Sequence, residues 1–356
     1  MNYNTVELRA LRKSINSCLA QDGINYDYNP IICDAYDGEG FYINHKKKVL
    51  LENRVYAYDT HWAYGAVLIS EVFPLSSNLT NKETELGIYI ISFSYLNQRY
   101  KDFSYTMYRN KMAPSPDGRA MMVISSLDYP IFCDIYESDV KIEKRLFFRD
   151  IGKLPLEKIV RMAYKRKKEP DANKRVYEAA FYGKFAERLH KQIKKTYSIK
   201  KKAKLYNAVV SCGEEYINIL RNPQVAIAMW QTAYLRYREW KEFKKYRKHV
   251  IYMNTDSIYL DENVEHEDSP ELGHYGIEYF GKKVLFIRRN AYIVLNDDDS
   301  IYKSVIGGVI NGGDITPEKL QILRNKGTIT AKTYDYKRRL VEAEVRSLFF
   351  EEYYNI

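Results

Sequence analysis

The chain has 356 residues, enough for about two or three lobes around a sizeable core. Hydrophobic residues make up 46% and charged residues 29%, a balance that excludes wholesale disorder. Lysine and arginine (56) outnumber aspartate and glutamate (46), and the net charge of +10 favours an acidic partner such as nucleic acid.

Signals for membrane insertion, secretion and disulfide formation are absent from the sequence. No apolar run approaches the ~20 residues that cross a bilayer. The N-terminus, MNYNTVELRALRKS, lacks the apolar core of a signal peptide. We therefore expect a cytoplasmic protein without a membrane partner. The cysteines have no CxxC spacing, so neither a zinc site nor a disulfide framework is indicated; they are Cys18, Cys33, Cys133 and Cys212.

The first part of the chain begins with a helix and continues with strands. Apolar residues at helical spacing predict the helix, namely Val6, Leu8, Leu11, Ile15 and Leu19. In CDAYDGEGF, Gly38 and Gly40 mark a turn where backbone can approach a ligand closely. The run RVYAYDTHWAYGAVLI (54–69) begins as a strand and carries Asp59 just past its apolar start. Within 86–150, GIYIISFSYL and DYPIFCDIY predict strands of an antiparallel sheet.

The middle of the chain is basic and helical. Residues 151–204 contain 18 basic and 5 acidic residues, a net charge of +13, so this segment supplies the whole positive excess. It predicts two helices, LEKIVRMAYKRKK and NKRVYEAAFYGKFAERLHKQIKK, interrupted at Pro170. Such a charge concentration attracts polyanions, and the 34 tyrosines provide rings on which bases can stack. A solvated helix surface with a tyrosine-rich core is the alternative interpretation.

The last part of the chain starts with PQVAIAMWQTAYLRYREWKEFKKYR, which predicts a helix over about 223–247. VIYMNTDSIYL (250–260) predicts a hairpin with the Asp256 carboxylate at its tip. KKVLFIRRNAYIVL is strand-like, a loop with three aspartates (297–299) follows, and mixed helices are expected up to Ile356. This order predicts an α+β fold, a sheet interrupted by a basic helical insertion and closed by a small C-terminal lobe.

Asp59 and Asp256 form a pair of carboxylates at predicted strand ends, separated in sequence by the basic helices. That pattern suits phosphoryl or nucleotidyl transfer, in which acidic side chains bridge two divalent ions ~3.5–4 Å apart. A lysine or arginine on a neighbouring helix neutralises the triphosphate. Carboxylates are hard oxygen donors suited to Mg²⁺. An aspartate at a hairpin turn is also a common turn former.

Five short motifs occur in order between residues 36 and 292. They are Tyr36-Asp37-Gly38-Glu39-Gly40, Asp59-Thr60-His61-Trp62-Ala63-Tyr64-Gly65, Arg175 through Tyr182-Gly183-Lys184-Phe185, Tyr252-Met253-Asn254-Thr255-Asp256-Ser257, and Arg289-Asn290-Ala291-Tyr292. In this order they resemble the Tyr-x-Gly-Gly, A, B, C and Lys-x-Tyr motifs of the protein-primed family B DNA polymerases of phages and linear plasmids.

The resemblance implies a right-hand polymerase fold with an antiparallel palm sheet, helical fingers and a small thumb. The implied division is an N-terminal segment (1–45), the first part of the palm (46–150), the fingers (151–185), a processivity insertion (186–222), the second part of the palm (223–293) and the thumb (294–356). The acidic 3′–5′ exonuclease domain that precedes these motifs in the family is missing from this sequence, and we expect no proofreading from it.

The resemblance also implies roles for individual residues. The catalytic set is Asp59, Asp256 and Arg175, and the ligands of two Mg²⁺ or Mn²⁺ ions are Asp59, Asp256 and the Thr60 carbonyl. The nucleotide-binding set is Tyr64, which excludes a 2′-hydroxyl, together with Arg175, Lys167 and Tyr182. The template and primer contacts are Tyr36, Gly38, Gly40, Arg289 and Tyr292. The implied partners are a DNA template and primer, dNTPs, and, as further partners, a priming protein and a separate exonuclease or replication subunit.

The chain departs from the family pattern at several positions. Asn254 replaces an aspartate of motif C, which lowers the local negative charge by one and is expected to weaken metal binding without abolishing the site. Ala179 and Ala180 replace the Asn and Ser of motif B, Gly65 stands for Pro, and Asn290 stands for Lys. These changes leave open a second hypothesis, a polymerase-derived nucleic-acid-binding scaffold or accessory protein. A nuclease that uses the same two aspartates is a third hypothesis, against which the basic fingers helix counts.

Overall fold

The computed structural model describes residues 6–27, 29–47, 53–105, 107–108, 111–114, 118–183, 185, 224–288, 291–306, 318–319, 322, 328–334 and 340–346. The helices are α1 (Val6–Gln21), α2 (Pro30–Ala35), α3 (Ala63–Ser70), α4 (Asp128–Ile135), α5 (Glu157–Lys167), α6 (Lys174–Glu178) and α7 (Val225–Tyr246), with a π-helical turn at Ala179–Gly183. The strands are β1 (Tyr42–His45), β2 (Asn53–Thr60), β3 (Phe73–Pro74), β4 (Leu79–Thr80), β5 (Gly87–Phe93), β6 (Asn97–Gln98), β7 (Phe103–Ser104), β8 (Ala113–Pro114), β9 (Ala120–Ser125), β10 (Tyr136–Glu137), β11 (Lys141–Phe148), β12 (Ile151–Gly152), β13 (Val250–Asn254), β14 (Ser257–Leu260), β15 (Tyr275–Arg288), β16 (Ala291–Leu295), β17 (Ile301–Ile306), β18 (Thr328–Tyr334) and β19 (Leu340–Arg346).

Two antiparallel sheets dominate the architecture. The central sheet has eight strands in the order β17-β16-β15-β2-β14-β13-β1-β7, so β2 lies between β14 and β15. The second sheet has the order β4-β11-β5-β9-β8. Its strands come from the 86–150 region, where the sequence predicts an antiparallel sheet, apart from the short β4. The predicted α+β class, a mixture of helices and antiparallel sheets, is confirmed.

Side chains of the central sheet alternate between two buried clusters. Along β2, Tyr58 packs into a cluster that also contains Phe243 and Tyr246 from the end of α7. Val55 and Ala57 point to the other face, which is lined by aromatic rings of β13, β14, β15 and β16. Because successive residues of a strand point to opposite faces, Asp59 lies on the face of Val55 and Ala57, away from α7.

Helix α7 is buried along most of its 22 residues, which explains its largely apolar first half. Four of its buried side chains are polar, each no more than 1% exposed: Gln231, Thr232, Arg236 and Glu239. Arg236 forms a two-bond ion pair with Asp128 of α4, through Nε–Oδ1 (2.6 Å) and Nη2–Oδ2 (2.7 Å). The hydroxyls of Ser125 (2.7 Å) and Tyr108 (2.9 Å) also donate to the Asp128 carboxylate. The buried charges are therefore paired and hydrogen-bonded.

The other predicted helices form with local adjustments. In α1, Leu8, Ile15 and Leu19 are buried, but Val6 is 84% exposed, so the buried face starts two residues later than its pattern predicts. The two basic helices are separated around Pro170 as predicted, and the second widens into the π-helical turn after five residues. Its expected continuation beyond 185 and the 186–222 insertion lie outside the described residues. Among the described helices, none is long and apolar enough to cross a membrane.

Two predictions of secondary structure are wrong. DYPIFCDIY forms α4 rather than a strand, because Asp128 is tied to Ser125 and Arg236 and the buried Ile131, Phe132 and Ile135 follow helical spacing. Mixed helices were expected towards the C-terminus, but the described segments 328–334 and 340–346 are the paired strands β18 and β19. The strand-like KKVLFIRRNAYIVL comprises the end of β15 and all of β16, which pair with each other.

We predict that Asp128→Asn lowers the free energy of unfolding by about 3–5 kcal/mol, because it leaves Arg236 buried without a full countercharge. Urea unfolding followed by circular dichroism measures the effect. Asp171→Asn is the matched control, because Asp171 is exposed and pairs with Arg166 at the surface. Equal unfolding midpoints for the two variants would contradict the role assigned to the buried pair.

Candidate active site

The structure brings Asp59 and Asp256 to neighbouring positions at one end of the central sheet. Asp59 is the penultimate residue of β2 and pairs directly with Ser257, the first residue of β14. The Thr60 N–H donates to the Asp256 carbonyl at 2.9 Å, which fixes the backbones of the two segments to each other. The two aspartates thus belong to adjacent, hydrogen-bonded segments although 196 positions separate them in the numbering of the chain.

A tight turn presents Asp256 at the tip of the β13–β14 hairpin. Thr255 has a φ of +64°, and the Asp256 N–H donates to the Asn254 carbonyl at 2.8 Å, the pattern of a strained γ-turn. The Thr255 N–H donates to the Phe41 carbonyl (2.8 Å), and a methyl group on Gly40 would lie 2.8 Å from Thr255 Cα. Glycine at position 40 therefore permits the close approach that supports this turn.

Electrostatics make the two carboxylates a site of excess negative charge. Burial and then the Asp256 carboxylate raise the pKa of Asp59, with a further contribution from Glu278. Burial and then Glu239 raise the pKa of Asp256. Lys167 opposes the rise in both groups, and it forms an ion pair with Glu178 (3.1 Å). Without further positive charge the ionised carboxylates are destabilised, so the site favours a cation.

The chain passes from β2, which carries Asp59, into α3 through Trp62. Trp62 has a φ of +51° and immediately precedes α3, and its ring stacks on Tyr164 (5.9 Å between centroids). A methyl group on Gly65 would lie 2.7 Å from the Trp62 ring. This contact gives a physical reason for glycine at position 65, where the resembled family has proline. The Lys167 ammonium lies 5.5 Å from the centre of the same ring, so the end of α5 lies beside the segment that joins β2 to α3.

Tyr64, Tyr182 and the loop at 36–40 are brought together beside the aspartates. The rings of Tyr64 and Tyr182 stack at 4.0 Å between centroids, and the Tyr182 hydroxyl donates to the Gly38 carbonyl at 2.9 Å. Burial raises the pKa of Tyr36, with Tyr182 as the next cause, so Tyr36 belongs to the same group. Tyr36, Tyr64 and Tyr182, which come from three separate motifs, thus lie in one aromatic group.

The structure describes the remaining candidate site residues only in part. Arg175 belongs to α6, but its side chain lies outside what the structure describes, as does the whole of Arg289. Tyr292 is buried on β16, and its ring contacts Tyr259 (5.6 Å between centroids). Thr60 is buried next to Asp59, and Asn254 ends β13. Their roles in binding stay predictions.

Glu278 is an acidic residue near the site that no motif indicated. It lies on β15, where neighbouring Gly276 pairs with Asp59, and its charge contributes to the raised pKa of Asp59. Tyr259 donates to Glu278 (3.2 Å), and the Lys303 ammonium lies 3.1 Å from its carboxylate. A register irregularity surrounds Glu278, so strand alternation alone could not have assigned its direction.

The buried polar residues of α7 were also missed, although the sequence carries a signal for them. Thr232 donates to the Asp37 carbonyl (2.8 Å), and Arg236 donates to the carbonyls of Asp37 (2.9 Å) and Glu39 (2.6 Å). Gln231 donates to the carbonyls of Tyr64 (2.7 Å) and Phe181 (2.8 Å). Polar residues on one face of an otherwise apolar helix predict such buried contacts.

Glu239 extends this polar face towards the aspartates. Its carboxyl Oε1 accepts a hydrogen bond from the Tyr275 hydroxyl (2.6 Å), whereas its buried Oε2 has no hydrogen-bond partner within the part of the chain that the structure describes. Tyr275 in turn pairs with Thr60 in the central sheet. Burial raises the pKa of Glu239 to about 8. The folded protein therefore binds the Glu239 proton more tightly than the unfolded chain does.

We predict that Glu239→Gln alters the pH dependence of stability. The stabilisation from Glu239 is fully present below ~4.3, the ordinary pKa of glutamate, and is lost as pH rises through about 8. Near pH 9 the variant should exceed the parent protein in unfolding free energy by on the order of 5 kcal/mol, because glutamine stays neutral. Urea unfolding of both proteins from pH 5 to 9, without divalent cations, measures this difference; parallel curves would contradict the raised pKa.

Comparison with known proteins gives similarity at the level of structure. No model of a protein family matches the chain, and no curated protein matches it. A structure of Phi29 DNA polymerase with primer-template DNA and incoming nucleotide substrates matches with a TM-score of 0.66 and 16% identity, over 96% of this chain and 66% of the polymerase. A primer-template binary complex of the same polymerase matches with a TM-score of 0.64 and 15% identity, over 95% of this chain and 66% of the polymerase.

A third structure, of Phi29 DNA polymerase with single-stranded DNA, gives a TM-score of 0.63 and 17% identity, over 96% of this chain and 65% of the polymerase. The chain thus spans just under two thirds of the length of these polymerases. At such low identity the similarity establishes the fold and leaves the chemistry to be argued from the residues. The mixed helices and antiparallel sheets of this chain have the fold of a DNA polymerase.

Proposed function

We propose that the chain is a template-directed DNA polymerase of the protein-primed family B type, acting in viral or plasmid genome replication. The observation that carries this proposal is the placement of Asp59 and Asp256 on adjacent segments of a sheet with a polymerase fold. The proposed palm comprises 46–150 and 223–293, with fingers at 151–185, an insertion at 186–222 and a thumb at 294–356. Because β1 and β17 pair within the central sheet, we extend the palm to include both strands.

The donor set at this site fits hard divalent cations. Asp59 and Asp256 offer carboxylate oxygens, and their raised pKa values reflect a burial and repulsion that a cation would relieve. In the proposal, these carboxylates and the Thr60 carbonyl hold Mg²⁺ or Mn²⁺. When held there, such ions would supply Lewis-acid activation of an attacking hydroxyl and charge neutralisation at a leaving phosphate.

The protein's own residues would bind and orient the reactants. Lys167 and Arg175 neutralise the triphosphate, and Lys167 already lies close enough to influence both aspartates. The stacked Tyr64 and Tyr182 rings hold the sugar and base of the incoming nucleotide. In the reaction, a primer 3′-oxygen or a protein hydroxyl bonds to the α-phosphate, and pyrophosphate leaves.

The 36–40 loop and β16 would contact the DNA. The backbone of the loop is held by Thr232 and Arg236, and this fixed geometry supports the proposal that Gly38 and Gly40 belong to a template-binding segment. Tyr292 and Arg289 would contact the primer. A priming protein and a separate exonuclease or replication subunit are further proposed partners.

A scaffold without catalysis is the second candidate function, favoured by Asn254, Ala179 and Ala180, where carboxylate or hydrogen-bonding groups of the resembled motifs are replaced. Primer extension on a short template distinguishes the two, with dNTPs and rNTPs and with Mg²⁺ and Mn²⁺ in parallel. Extension supports the polymerase. Salt-dependent DNA binding without extension supports the scaffold.

We predict that Asp59→Asn and Asp256→Asn each reduce primer extension by at least about 10³-fold, because each removes a carboxylate whose metal supplies several kcal/mol of transition-state stabilisation. The measurement is the single-turnover rate of nucleotide incorporation. Asp171→Asn, a surface change of the same chemistry, should extend primers at the parental rate. Undiminished extension by either active-site variant would defeat the assignment.

We predict that Asn254→Asp strengthens activity in Mg²⁺ relative to Mn²⁺, because it adds a carboxylate next to the turn that presents Asp256. The Mg²⁺ concentration for half-maximal extension should fall by roughly tenfold. Titrations of both metals with the parent and variant proteins provide the test. Unchanged titration curves would count against a modulating role for position 254.

A further inference from the structure

A histidine and two carboxylates converge at the end of the β13–β14 hairpin that lies away from Asp256. His249 directly precedes β13, and Asp261 and Glu262 directly follow β14. The Asp261 N–H donates to the His249 carbonyl at 3.0 Å, and the His249 N–H donates to the Tyr246 carbonyl at 2.8 Å. The backbone of the group is thereby fixed to the end of α7. Five residues of β13 separate it from the γ-turn, a distance of about 17 Å.

The three side chains have the spacing of ligands around one cation. His249 Nδ1 lies 3.4 Å from Asp261 Oδ1 and 3.4 Å from Glu262 Oε2, and one potential ligand atom of each of the three residues lies within 4.8 Å of those of the other two. Hydrogen bonds between such groups prefer about 2.7–3.2 Å. Metal–ligand bonds of about 2.0–2.2 Å in a tetrahedron separate two ligands by about 3.3–3.6 Å. The observed separations therefore match two edges of a tetrahedral site.

Another histidine of the chain shows why this geometry is distinctive. His274 also contacts two carboxylates, but Glu267 meets its Nδ1 and Glu271 lies 3.7 Å from its Nε2. The two nitrogens point away from each other across the imidazole ring, so those carboxylates cannot share a cation with one ring nitrogen. At His249 both carboxylates face the same nitrogen, the arrangement that a single ion requires.

We propose that His249, Asp261 and Glu262 form a second metal site that binds Zn²⁺ or a similar divalent transition metal. One imidazole nitrogen with two carboxylates suits Zn²⁺, whereas Mg²⁺ and Ca²⁺ prefer oxygen ligands alone. Glu262 is largely exposed, which leaves space for water as a fourth ligand. The bound ion joins the two ends of the hairpin that carries Asp256, beside the end of α7. This proposal stands independently of the polymerase assignment.

The test uses the full chain, from which metal is first removed by chelation and desalting. Zn²⁺ or Co²⁺ is then added, in the absence of DNA and nucleotide. Calorimetric titration is performed on the Asp59→Asn/Asp256→Asn double variant, in which the candidate active site cannot compete. We expect one Zn²⁺ per chain and a rise of roughly 3 °C in Tm at a hundredfold excess over Kd. Co²⁺ should give the intense visible absorption of a tetrahedral site.

In the Asp59→Asn/Asp256→Asn protein, a further His249→Ala substitution should abolish the Co²⁺ absorption and weaken Zn²⁺ binding at least tenfold. Asp261→Asn should weaken Zn²⁺ binding by a similar factor. His274→Ala is the matched control and should bind Zn²⁺ as the double variant does. An absence of Zn²⁺ binding, or binding that survives His249→Ala, would overturn the proposal and leave only a polar contact among the three side chains. Because no step measures nucleotide incorporation, failure of the polymerase assignment would leave this result unaffected.

Discussion

The buried ion pair between Arg236 and Asp128 is the interaction on which the arrangement of the candidate active site depends. Arg236 uses two nitrogens to hold the Asp128 carboxylate and a third to hold the carbonyls of Asp37 and Glu39. One side chain therefore joins α7, α4 and the 36–40 loop. Since a guanidinium is rarely buried without full compensation, the position of the loop is coupled to the stability of the fold.

The same ion pair also supports the turn that carries Asp256, through backbone contacts of the 36–40 loop. The loop held by Arg236 ends at Gly40, which lies against Thr255, and Phe41 accepts the Thr255 N–H. Thr255 and Trp62 both adopt positive φ values, which cost about 1 kcal/mol or more for such residues. Each strained residue lies within three positions of an aspartate of the site. The surrounding contacts thus hold a backbone geometry that local preferences would disfavour.

Charge at the site is balanced in a different way from charge in the core. Asp128 is neutralised by Arg236 within the protein, and the pKa of Asp128 is lowered in spite of its burial. Burial and then Asp256 and Glu278 raise the pKa of Asp59, burial and then Glu239 raise the pKa of Asp256, and Lys167 is a partial countercharge to both. One arrangement satisfies its charges internally, and the other leaves negative charge that a ligand can neutralise.

Local sequence patterns were sufficient for the elements that carry the two aspartates. The β-rich run before Asp59 predicts β2, the apolar runs flanking a polar turn predict the hairpin of Asp256, and helical spacing predicts α7. Where a long-range contact decides the conformation, the patterns fail. DYPIFCDIY has strand-like composition but forms α4, whose Asp128 pairs with an arginine 108 positions away.

What the sequence by itself determined is the α+β class, the strand ends that bear Asp59 and Asp256, and the concentration of positive charge between them, because periodicity and charge are local properties. Only the tertiary structure decided that Glu239 and Glu278 influence these aspartates. Their partners come from other strands and helices, and the pairing register that brings such side chains together depends on packing across the whole sheet.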